Sequence, residues 1–500
     1  MPCVTSSSRL SGMPGETATR TGEKPVIKFG TDGWRGIIAD DFTFQNVRYT
    51  AQGIANFLRR KERPSVVIGF DCRFASENFA AEVARVMAAA GIHTYLTNAP
   101  SPTQVSSWTI LDKKADGAVV VTASHNPAEF SGIKYKPEYA GSASPEVVAE
   151  LESEIAVVID TGRVELSDLE EATQAGLVEV VDPRPSYRAQ VARMVDLDAL
   201  KAAGLKVLHD PMYGSGAGYV VDLLAGGKTV AQQIRSERNP GFGGIHPEPI
   251  PENLETTLEL MRKGDYDLCI CTDGDADRVG IIDETGSFIN QLEVFALLMD
   301  YLIGTRGERG PVVRTLTSTS MADRLAEIYG VECHEVKVGF KYVGPLMTSI
   351  NAVMGGEESG GFGFRGHIPE RDGVLAGLYF AEMIVRREKP LSQILRELFE
   401  KVGPHAYNRR DVRVPREGYE DLKQQIYDRF AASKPTEIAG RKVVRVRDDD
   451  GFKFYLEDGS WTLVRFSGTE PLIRVYSEAP SQDEVNQLID ALIQLLGIMA

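Results

Sequence analysis

The stretch "PSVVIGFDCRFASENFAAEVARVMAAAGIHTYLT" (residues 64–97) contains the structural unit from which most of this chain is built. It opens on a short run of β-branched apolar residues and continues through a polar loop. Apolar residues then recur at spacings of three and four, and a glycine and a second apolar run follow. This order predicts strand, loop, helix and strand. Roughly thirty residues is the length of a βαβ unit with two parallel strands.

The same order of features occurs twice more. Residues 205–234, "LKVLHDPMYGSGAGYVVDLLAGGKTVAQQI", and residues 310–338, "GPVVRTLTSTSMADRLAEIYGVECHEVKV", both begin with a strand-like run and continue with helical spacing. Three such units, widely separated along the chain, predict three related α/β domains rather than one large sheet. The length of 500 residues agrees with this prediction, because a chain of this size divides into about three or four domains.

The C-terminal part of the chain has a different pattern. In "RKVVRVRDDDGFKFYLEDGSWTLVRFSGTEPLIRVYSEA" (441–479), strand-like runs are separated by Asp450-Gly451 and Asp458-Gly459, which are typical of hairpin turns. Residues 481–498 have the spacing of an amphipathic helix, with Ser481 as its N-cap. We therefore predict a C-terminal α+β domain that follows a linker around residues 400–408.

The composition excludes several classes of protein. The net charge of −16 argues against a nucleic-acid partner, and no apolar run is long enough to cross a bilayer, which argues against an integral membrane protein. Five scattered cysteines do not form a disulfide framework, and Cys269 and Cys271 lie on alternate residues of an apolar run, as buried thiols would. We therefore expect a cytoplasmic protein. Residues 1–25 are polar, lack the apolar core of a signal peptide and are predicted to be a disordered tail.

An acidic loop follows the apolar strand in "YDLCICTDGDADRVGIID" (266–283). Asp273, Asp275 and Asp277 alternate, so an extended loop would place all three carboxylates on one side, where they repel one another unless a cation lies among them. Oxygen ligands of this kind suit Mg²⁺. The loop is not an EF-hand, because the residues before Glu284 are strand-like. Arg278 belongs to the same loop and could hold an anion beside the metal.

Two further segments have the composition of ligand-binding turns. In "VMGGEESGGFGF" (353–364), glycines flank Glu357 and Ser359, whose carboxylate and hydroxyl suit a polyol. In "RFSGTEPLIRVYSEA" (465–479), a turn lies between two strand arginines, and its hydroxyl and backbone N–H groups could form a phosphate cradle with them. The residues of this predicted cradle are Arg465, Ser467, Gly468, Thr469 and Arg474.

The segment "GAVVVTASHNPAEFSGIKYKP" (117–137) delivers a serine to the end of an apolar strand. An acyl-transfer role for Ser124 is disfavoured, because the G-x-S-x-G elbow is absent and His125, its neighbour in sequence, is poorly placed to deprotonate it. A serine near a metal site and a phosphate cradle can instead carry a phosphoryl group. Lys134 and His125 then become candidates for proton transfer and for stabilising the anion.

Taken together, five motifs resemble those of the α-D-phosphohexomutase family, in its phosphoglucomutase/phosphomannomutase branch. They occur in the family's order: "FGTDGWRG" (29–36), "TASHNP" (122–127), "DGDADR" (273–278), "GEESGG" (356–361) and "RFSGTEPLIR" (465–474). The resemblance covers nearly all of residues 26–500. It implies three α/β domains with mixed sheets and a C-terminal α+β domain, arranged around a central cleft to which each domain contributes one loop.

The resemblance also implies domain boundaries. After the tail at residues 1–25, we expect the phosphoserine loop in an α/β domain over 26–185 and the metal loop in a second over 186–288. We expect the sugar-recognition loop in a third α/β domain over 289–400 and the phosphate-binding loop in an α+β domain over 401–500.

Each motif residue receives a role from the same resemblance. Ser124 would be the phosphorylated residue, and its phosphate would complete the site of one Mg²⁺ ion with Asp273, Asp275 and Asp277. Glu357 and Ser359 would contact sugar hydroxyls, and the predicted cradle would hold the non-reacting phosphate. The residues implied near the transferring phosphoryl group are Arg35, His125, Lys134 and Arg278, with Lys134 as a candidate general base.

The implied reaction interconverts glucose 1-phosphate and glucose 6-phosphate through glucose 1,6-bisphosphate, which is also the activator. "KVGFKYVG" (337–344) resembles a segment of glucose-directed mutases and would place Lys341 in the cleft. Phosphomannomutase activity, or dual specificity, is the alternative, because mannose differs from glucose only at C2. Phosphoglucosamine mutase is disfavoured by Glu358 and Gly361, where that branch usually has Gln and His.

The histidine that the family often has at position 361 is absent, and His367 could replace it, although a structural role for His367 is favoured. A catalytically silent sugar-phosphate binding protein is a further alternative, against which Ser124 and the three aspartates argue. We expect a monomer or homodimer whose partner is a small-molecule sugar phosphate.

Overall fold

All three predicted βαβ units are present in the computed structural model, which describes residues 25–30, 32–467 and 471–498. Apart from Pro25, the predicted N-terminal tail lies outside these residues. In each unit two parallel strands flank a helix, as the alternation of apolar runs and helical spacing predicts. The prediction of three α/β domains followed by an α+β domain is confirmed.

The first domain has a six-stranded mixed sheet covered by helices. Its strands are β1 (Trp34–Ile37), β2 (Ser65–Phe70), β3 (His93–Thr97), β4 (Gly117–Val121), β5 (Phe130–Pro137) and β6 (Val178–Val181), and its helices are α1 (Phe44–Leu58), α2 (Ser76–Ala89), α3 (Thr103–Lys113), α4 (Pro145–Thr161) and α5 (Leu169–Gln174). The strand order is β1-β5-β4-β2-β3-β6. Strands β2, β3, β4 and β6 run parallel, and β5 is antiparallel to both of its neighbours.

The second domain has a smaller mixed sheet of five strands. Its elements are α6 (Arg184–Met194), α7 (Leu197–Ala202), β7 (Lys206–Asp210), α8 (Tyr219–Leu224), β8 (Val230–Gln233), two 3-10 turns (Phe242–Gly244 and Pro251–Asn253), α9 (Glu255–Lys263), β9 (Leu268–Thr272), β10 (Val279–Asp283) and β11 (Phe288–Ile289). The strand order is β11-β10-β9-β7-β8. Cys269 and Cys271 are buried in β9 as free thiols, as predicted.

The third domain has a four-stranded sheet. Its elements are α10 (Gln291–Met299), a π-helical turn (Asp300–Thr305), β12 (Val312–Thr315), α11 (Met321–Tyr329), β13 (Cys333–Val336), α12 (Phe340–Ser349), β14 (Met354–Gly356), β15 (Phe362–Phe364), α13 (Gly373–Arg387) and α14 (Leu391–Val402). The strand order is β13-β12-β14-β15. Its buried apolar side chains share one continuous core with those of the second domain, so the two domains pack as one body.

The fourth domain is an antiparallel sheet with two helices. Its elements are β16 (Ala406–Arg413), α15 (Tyr419–Ala432), β17 (Glu437–Ile438), β18 (Arg441–Arg447), β19 (Phe452–Leu456), β20 (Trp461–Phe466), β21 (Leu472–Ala479) and α16 (Gln482–Leu496). The predicted hairpins connect β18, β19 and β20, and the Ser481 side chain caps α16 by accepting from the Glu484 N–H. The linker is shorter than predicted, because residues 406–408 already pair with β21.

The three α/β domains place a loop at the same point of their topology. In each domain a central strand that pairs with a parallel neighbour is followed by a loop and then by an antiparallel strand. These pairs are β4–β5, β9–β10 and β14–β15. The loops between them contain the TASHNP, DGDADR and GEESGG motifs. Among the described residues, no helix combines the length and the apolar character that crossing a membrane requires.

Candidate active site

Ser124 lies at the tip of the loop that follows β4. Its backbone has a positive φ of 53°, and its N–H donates to Thr122 Oγ1 at 2.9 Å. The hydroxyl is buried and donates to Asp273 Oδ2 at 2.9 Å, while His125 Nδ1 lies 3.4 Å from it. Ser124 therefore faces the metal loop of the second domain, as the family resemblance implied.

Close backbone approach makes this contact possible. A Cβ atom on Gly274 of the metal loop would lie 2.4 Å from the carbonyl oxygen of Ser124, closer than non-bonded atoms can come. The glycine in DGDADR thus lets the two loops touch, and any side chain at this position would force them apart.

The three aspartates of the metal loop converge. Each offers one carboxylate oxygen, and the three oxygens lie within 4.8 Å of one another in a fully buried position. Within the described part of the chain, Asp275 Oδ1 and Asp277 Oδ1 are buried and have no hydrogen-bond partner. Two buried carboxylate oxygens without donors are costly, and a hard divalent cation is the group that three converging carboxylates suit. The residues present therefore fit a Mg²⁺ ion.

The electrostatics of the three aspartates also favour a bound cation. Burial and repulsion from Asp275 and Asp277 raise the pKa of the Asp273 carboxyl well above its usual value. The pKa of Asp275 is lowered instead, because Lys134 and the Thr103 hydroxyl outweigh the effect of its burial. A bound cation would relieve the repulsion among the three carboxylates.

Lys134 lies in the middle of the acidic cluster. On β5 it pairs opposite Val120 of β4, and its Nζ is 2.8 Å from Asp275 Oδ2, 2.9 Å from Asp277 Oδ2 and 3.0 Å from Asp32 Oδ2. Burial opposes its charge, but the three carboxylates raise the pKa of Lys134 above its usual value. In this conformation Lys134 is an ammonium ion that stabilises the negative charge of the cluster, and the general-base role considered from the sequence stays a prediction.

Arg371 links the loops of three domains, and sequence reasoning gave it no role. Its Nη2 is 2.5 Å from Asp32 Oδ2 and 3.1 Å from Asp277 Oδ2, and its Nη1 is 3.6 Å from Glu357 Oε2. A Cβ atom on Gly361 would lie 2.3 Å from Arg371 Cδ. The arginine thus occupies the space beside position 361, which explains why a glycine stands there.

His125 lies beside the Ser124 hydroxyl, and the charges of Arg35 and Arg278 act on its imidazole. Arg35 Nη1 donates to Asn126 Oδ1 at 2.6 Å, and Arg278 Nη1 donates to Glu248 Oε1 at 3.1 Å. Burial, together with the neighbouring charges of Arg278, Arg35 and other cations, lowers the pKa of His125 well below its usual value. The imidazole is therefore neutral at physiological pH.

The sugar-loop candidates lie on the β14–β15 hairpin. Glu357 is buried, and burial raises its carboxyl pKa, whereas Ser359 is half-buried. Glu358 turns the other way and accepts from the Tyr407 hydroxyl of the fourth domain at 2.9 Å. Lys341, also half-buried, lies in the first turn of α12, with Nζ 5.5 Å from the centre of the Tyr342 ring.

His367 lies apart from the cleft residues. Its buried imidazole lies 3.0 Å from Asp372 Oδ2 and stacks on the Trp108 ring, with the ring centroids 5.8 Å apart. This environment fits the structural role favoured for His367.

The fourth domain presents two arginines on one face of its sheet. Arg465 on β20 and Arg474 on β21 are directly opposite each other, and Arg465 Nε donates to Asp450 Oδ1 at 3.1 Å. Arg474 Nε lies 4.0 Å from Asp411 Oδ2 and makes no hydrogen bond within the described residues. Like charges on opposite strands repel, so this pair favours an anion between them.

Ser467 is the one remaining cradle residue that the structure describes. The Ser467 N–H donates to the Leu472 carbonyl at 2.9 Å, and the buried Tyr419 hydroxyl donates to the Ser467 carbonyl at 2.8 Å. Gly468 and Thr469 lie outside the described residues.

Comparisons with known proteins agree with this architecture. Four family models, described as phosphoglucomutase/phosphomannomutase domains I, II and III and C-terminal domain, match residues 26–159, 185–286, 290–402 and 412–495. The phosphoglucomutase/phosphomannomutase of Thermococcus kodakarensis is 30% identical over 94% of this chain and 98% of its own. A probable phosphoglucosamine mutase of Methanopyrus kandleri is 28% identical over 94% of this chain and 97% of its own.

A solved structure extends the similarity to three dimensions. The structure described as a putative phosphomannomutase from Thermus thermophilus superposes with a TM-score of 0.81 at 31% identity, over 95% of this chain and 100% of the other. These matches run through all four domains in one order and include every loop of the site. The chain therefore belongs to the phosphoglucomutase/phosphomannomutase family of α-D-phosphohexomutases, and it is an enzyme of that family.

Proposed function

We propose that this enzyme interconverts glucose 1-phosphate and glucose 6-phosphate, with Ser124 as the carrier of the phosphoryl group. The observation that carries the proposal is the position of the Ser124 hydroxyl, buried 2.9 Å from Asp273 in a cluster whose aspartates have unpartnered oxygens. A nucleophilic oxygen beside a cation site is the arrangement that phosphoryl transfer requires.

Asp273, Asp275 and Asp277 would hold one Mg²⁺ ion per chain. When bound, the ion would neutralise charge on the transferring phosphoryl group. Lys134 holds one oxygen each of Asp275 and Asp277 in place, and Arg371 binds the same oxygen of Asp277. Arg35, Arg278 and neutral His125 would line the approach to the Ser124 oxygen, where the guanidinium groups would bind the non-bridging oxygens of a phosphate.

In the transfer step, the phosphoryl group passes from the enzyme to the sugar, and one phosphorus–oxygen bond replaces another. The bond from phosphorus to Ser124 Oγ breaks, a bond from phosphorus to the oxygen of the free sugar hydroxyl forms, and the hydroxyl proton passes overall to Ser124. The product of this step is glucose 1,6-bisphosphate, which is both intermediate and activator. It must turn round so that its other phosphoryl group can return to Ser124.

The binding of the sugar is divided between the third and fourth domains. Glu357 and Ser359 would accept and donate hydrogen bonds to the sugar hydroxyls, with Lys341 beside them. Arg465 and Arg474 would hold the phosphate that does not react, and Ser467, Gly468 and Thr469 would complete that cradle. Because these groups do not contact the transferring phosphoryl group, they can hold the sugar in either orientation.

Mannose 1-phosphate is the second candidate substrate. A Glu–Ser pair is best suited to two neighbouring hydroxyls, and mannose differs from glucose only at C2. The names of relatives include both phosphoglucomutase/phosphomannomutase and phosphoglucosamine mutase. We also propose that the enzyme is cytoplasmic, since Cys72, Cys269 and Cys271 are free, buried thiols. We propose a monomer or homodimer as its oligomeric state.

Two measurements test the proposal. Intact-mass spectrometry after incubation with glucose 1,6-bisphosphate should detect one added phosphoryl group on the wild-type protein and none on Ser124→Ala. kcat/KM for glucose 1-phosphate, mannose 1-phosphate and glucosamine 1-phosphate should be highest for the glucose compound. Uptake of phosphate by Ser124→Ala would refute the carrier role, and a preference for another sugar would refute the specificity.

A further inference from the structure

Arg73 binds the loop that presents Ser124. Its guanidinium is completely buried, and its Nη2 donates to the carbonyl oxygens of Ser124 and Asn126, both at 2.7 Å. Its Nη1 donates to the carbonyl oxygens of Pro127 at 2.7 Å and Phe130 at 2.9 Å. One side chain therefore fixes four backbone carbonyls within a loop of seven residues, 124–130.

The guanidinium is itself held in one orientation. Arg73 Nε donates to Asp71 Oδ2 at 3.1 Å, and the Arg73 N–H donates to Asp71 Oδ1 at 3.0 Å. The Ser76 hydroxyl donates to the same Oδ1 at 2.7 Å. The ring of Phe242, from the second domain, lies 4.9 Å from the guanidinium carbon. These contacts leave Arg73 little freedom, so the positions of its four acceptors are set as well.

The backbone at Ser124 needs such support. A residue other than glycine with positive φ is strained by about 1–3 kcal/mol and keeps that conformation only when its surroundings enforce it. Arg73 binds the carbonyl of Ser124 itself, on the other side of the residue from the hydroxyl. Release of that carbonyl would let φ relax and would turn Oγ away from Asp273.

We propose that Arg73 is the positioning residue that holds Ser124 in the conformation required to accept and return a phosphoryl group. This role rests on the proposed function of Ser124. Arg73 acts through the loop backbone and does not touch the sugar, whose contacts belong to the third and fourth domains. Loss of Arg73 should therefore slow phosphoryl transfer and leave the binding of the sugar phosphate almost unchanged.

The test uses the full-length Arg73→Lys variant. A lysine keeps the charge and approximate length of the side chain. Its single nitrogen cannot donate both to the carbonyls of Ser124 and Asn126 and to those of Pro127 and Phe130. We expect kcat to fall by about 100-fold and phosphorylation of Ser124 by glucose 1,6-bisphosphate, followed by intact mass, to slow to a similar extent. KM for glucose 1-phosphate should change by less than about threefold, since an interaction made only in the transition state affects kcat.

A matched control and a second variant complete the experiment. Arg60→Lys changes an exposed arginine of the same domain, paired with Glu150 and Glu154, and should match the wild type. If Arg73→Lys does not fold, as judged by thermal unfolding, Asp71→Asn provides the test, because an amide NH2 replaces one of the two carboxylate oxygens that orient Arg73. This variant should also lower kcat and leave KM almost unchanged.

The possible failures can be distinguished. A wild-type protein that takes up no phosphoryl group would refute the proposed function. A wild type that does, together with a folded Arg73→Lys that is phosphorylated at the same rate, would refute only the positioning role. A rise in KM at unchanged kcat would also refute it, since that result would place Arg73 in substrate binding.

Discussion

Replacement of Arg474 by glutamine tests the phosphate cradle of the fourth domain. Arg474 and Arg465 are directly opposite each other on β21 and β20. Arg465 donates to Asp450, whereas Arg474 Nε has no hydrogen-bond partner among the described residues. Arg474 is thus the arginine with the greater capacity to bind an anion, and Arg474→Gln removes its charge while keeping most of its length.

The size of the effect follows from these contacts. A hydrogen bond between a guanidinium and a phosphate contributes about 1.5–3 kcal/mol. Its loss should raise KM for glucose 1-phosphate by about 10- to 150-fold, at 1.4 kcal/mol for each factor of ten. Among the described residues, the free protein loses only the long ion pair between Arg474 Nε and Asp411 Oδ2, at 4.0 Å. Removal of repulsion between opposite strands should raise the free energy of unfolding by less than about 1 kcal/mol.

The assay combines kinetics with stability. KM and kcat for glucose 1-phosphate would be measured for the wild type, Arg474→Gln and Arg410→Gln. Arg410 is a matched control because it pairs opposite Val475, on the other face of the same sheet, and binds Asp490 of α16. Thermal unfolding in increasing inorganic phosphate would show a smaller stabilisation of Arg474→Gln than of the other two proteins.

The outcomes discriminate between a ligand-binding and a structural arginine. A KM within twofold of the wild type would contradict the reasoning. So would an Arg474→Gln protein that unfolds several degrees lower in the absence of phosphate, because the arginine would then stabilise the domain.

Three further predictions follow from the site and its surroundings. EDTA should abolish activity and Mg²⁺ restore it, and metal-independent turnover would remove the role given to the three aspartates. Glu357→Gln should lower kcat/KM by about 10- to 100-fold, since an amide has one acceptor oxygen instead of two, and wild-type kinetics would contradict this. Burial raises the pKa of Glu293 to about 7, so its contribution to stability is present at pH 4 and is lost as the pH rises past 7. Glu293→Gln should therefore gain about 1–3 kcal/mol of stability relative to wild type between pH 5 and pH 8 in urea unfolding, and an advantage independent of pH would refute this.

Local sequence patterns predicted the main elements of the fold. The βαβ units at 64–97, 205–234 and 310–338, the two Asp-Gly hairpins and the Ser481 cap all depend on residues close together in the chain, and all are present. The linker was misplaced because strand β16 begins at Ala406 through pairing with β21, which is distant in sequence. The shared topology of the three loops could not be predicted, since strand order is not a local property.

The site was predicted unevenly for the same reason. The aspartates and Ser124 belong to short motifs whose chemistry is evident from the residues themselves. Arg73 and Arg371 were missed because their partners are remote: Arg371 binds Asp32, 339 positions away. An isolated arginine in a sequence gives no sign that it is buried. The carboxylates around Lys134 come from the second domain as well as its own, so the sequence could not indicate that Lys134 lies among them.

The charges of the cleft also affect how the protein unfolds. Asp32 and Lys134 belong to the first domain, Asp277 to the second and Arg371 to the third, and these groups are joined by ion pairs of 2.5–3.1 Å. Separation of any one domain would break ion pairs, and each charge that stayed buried without its partner would cost about 3–5 kcal/mol. The first three domains should therefore melt as a single cooperative unit in calorimetry, since the catalytic centre also joins them. A substitution in the cleft then weakens the assembly of three domains as well as the reaction, so inactive variants of this enzyme should often be less stable too.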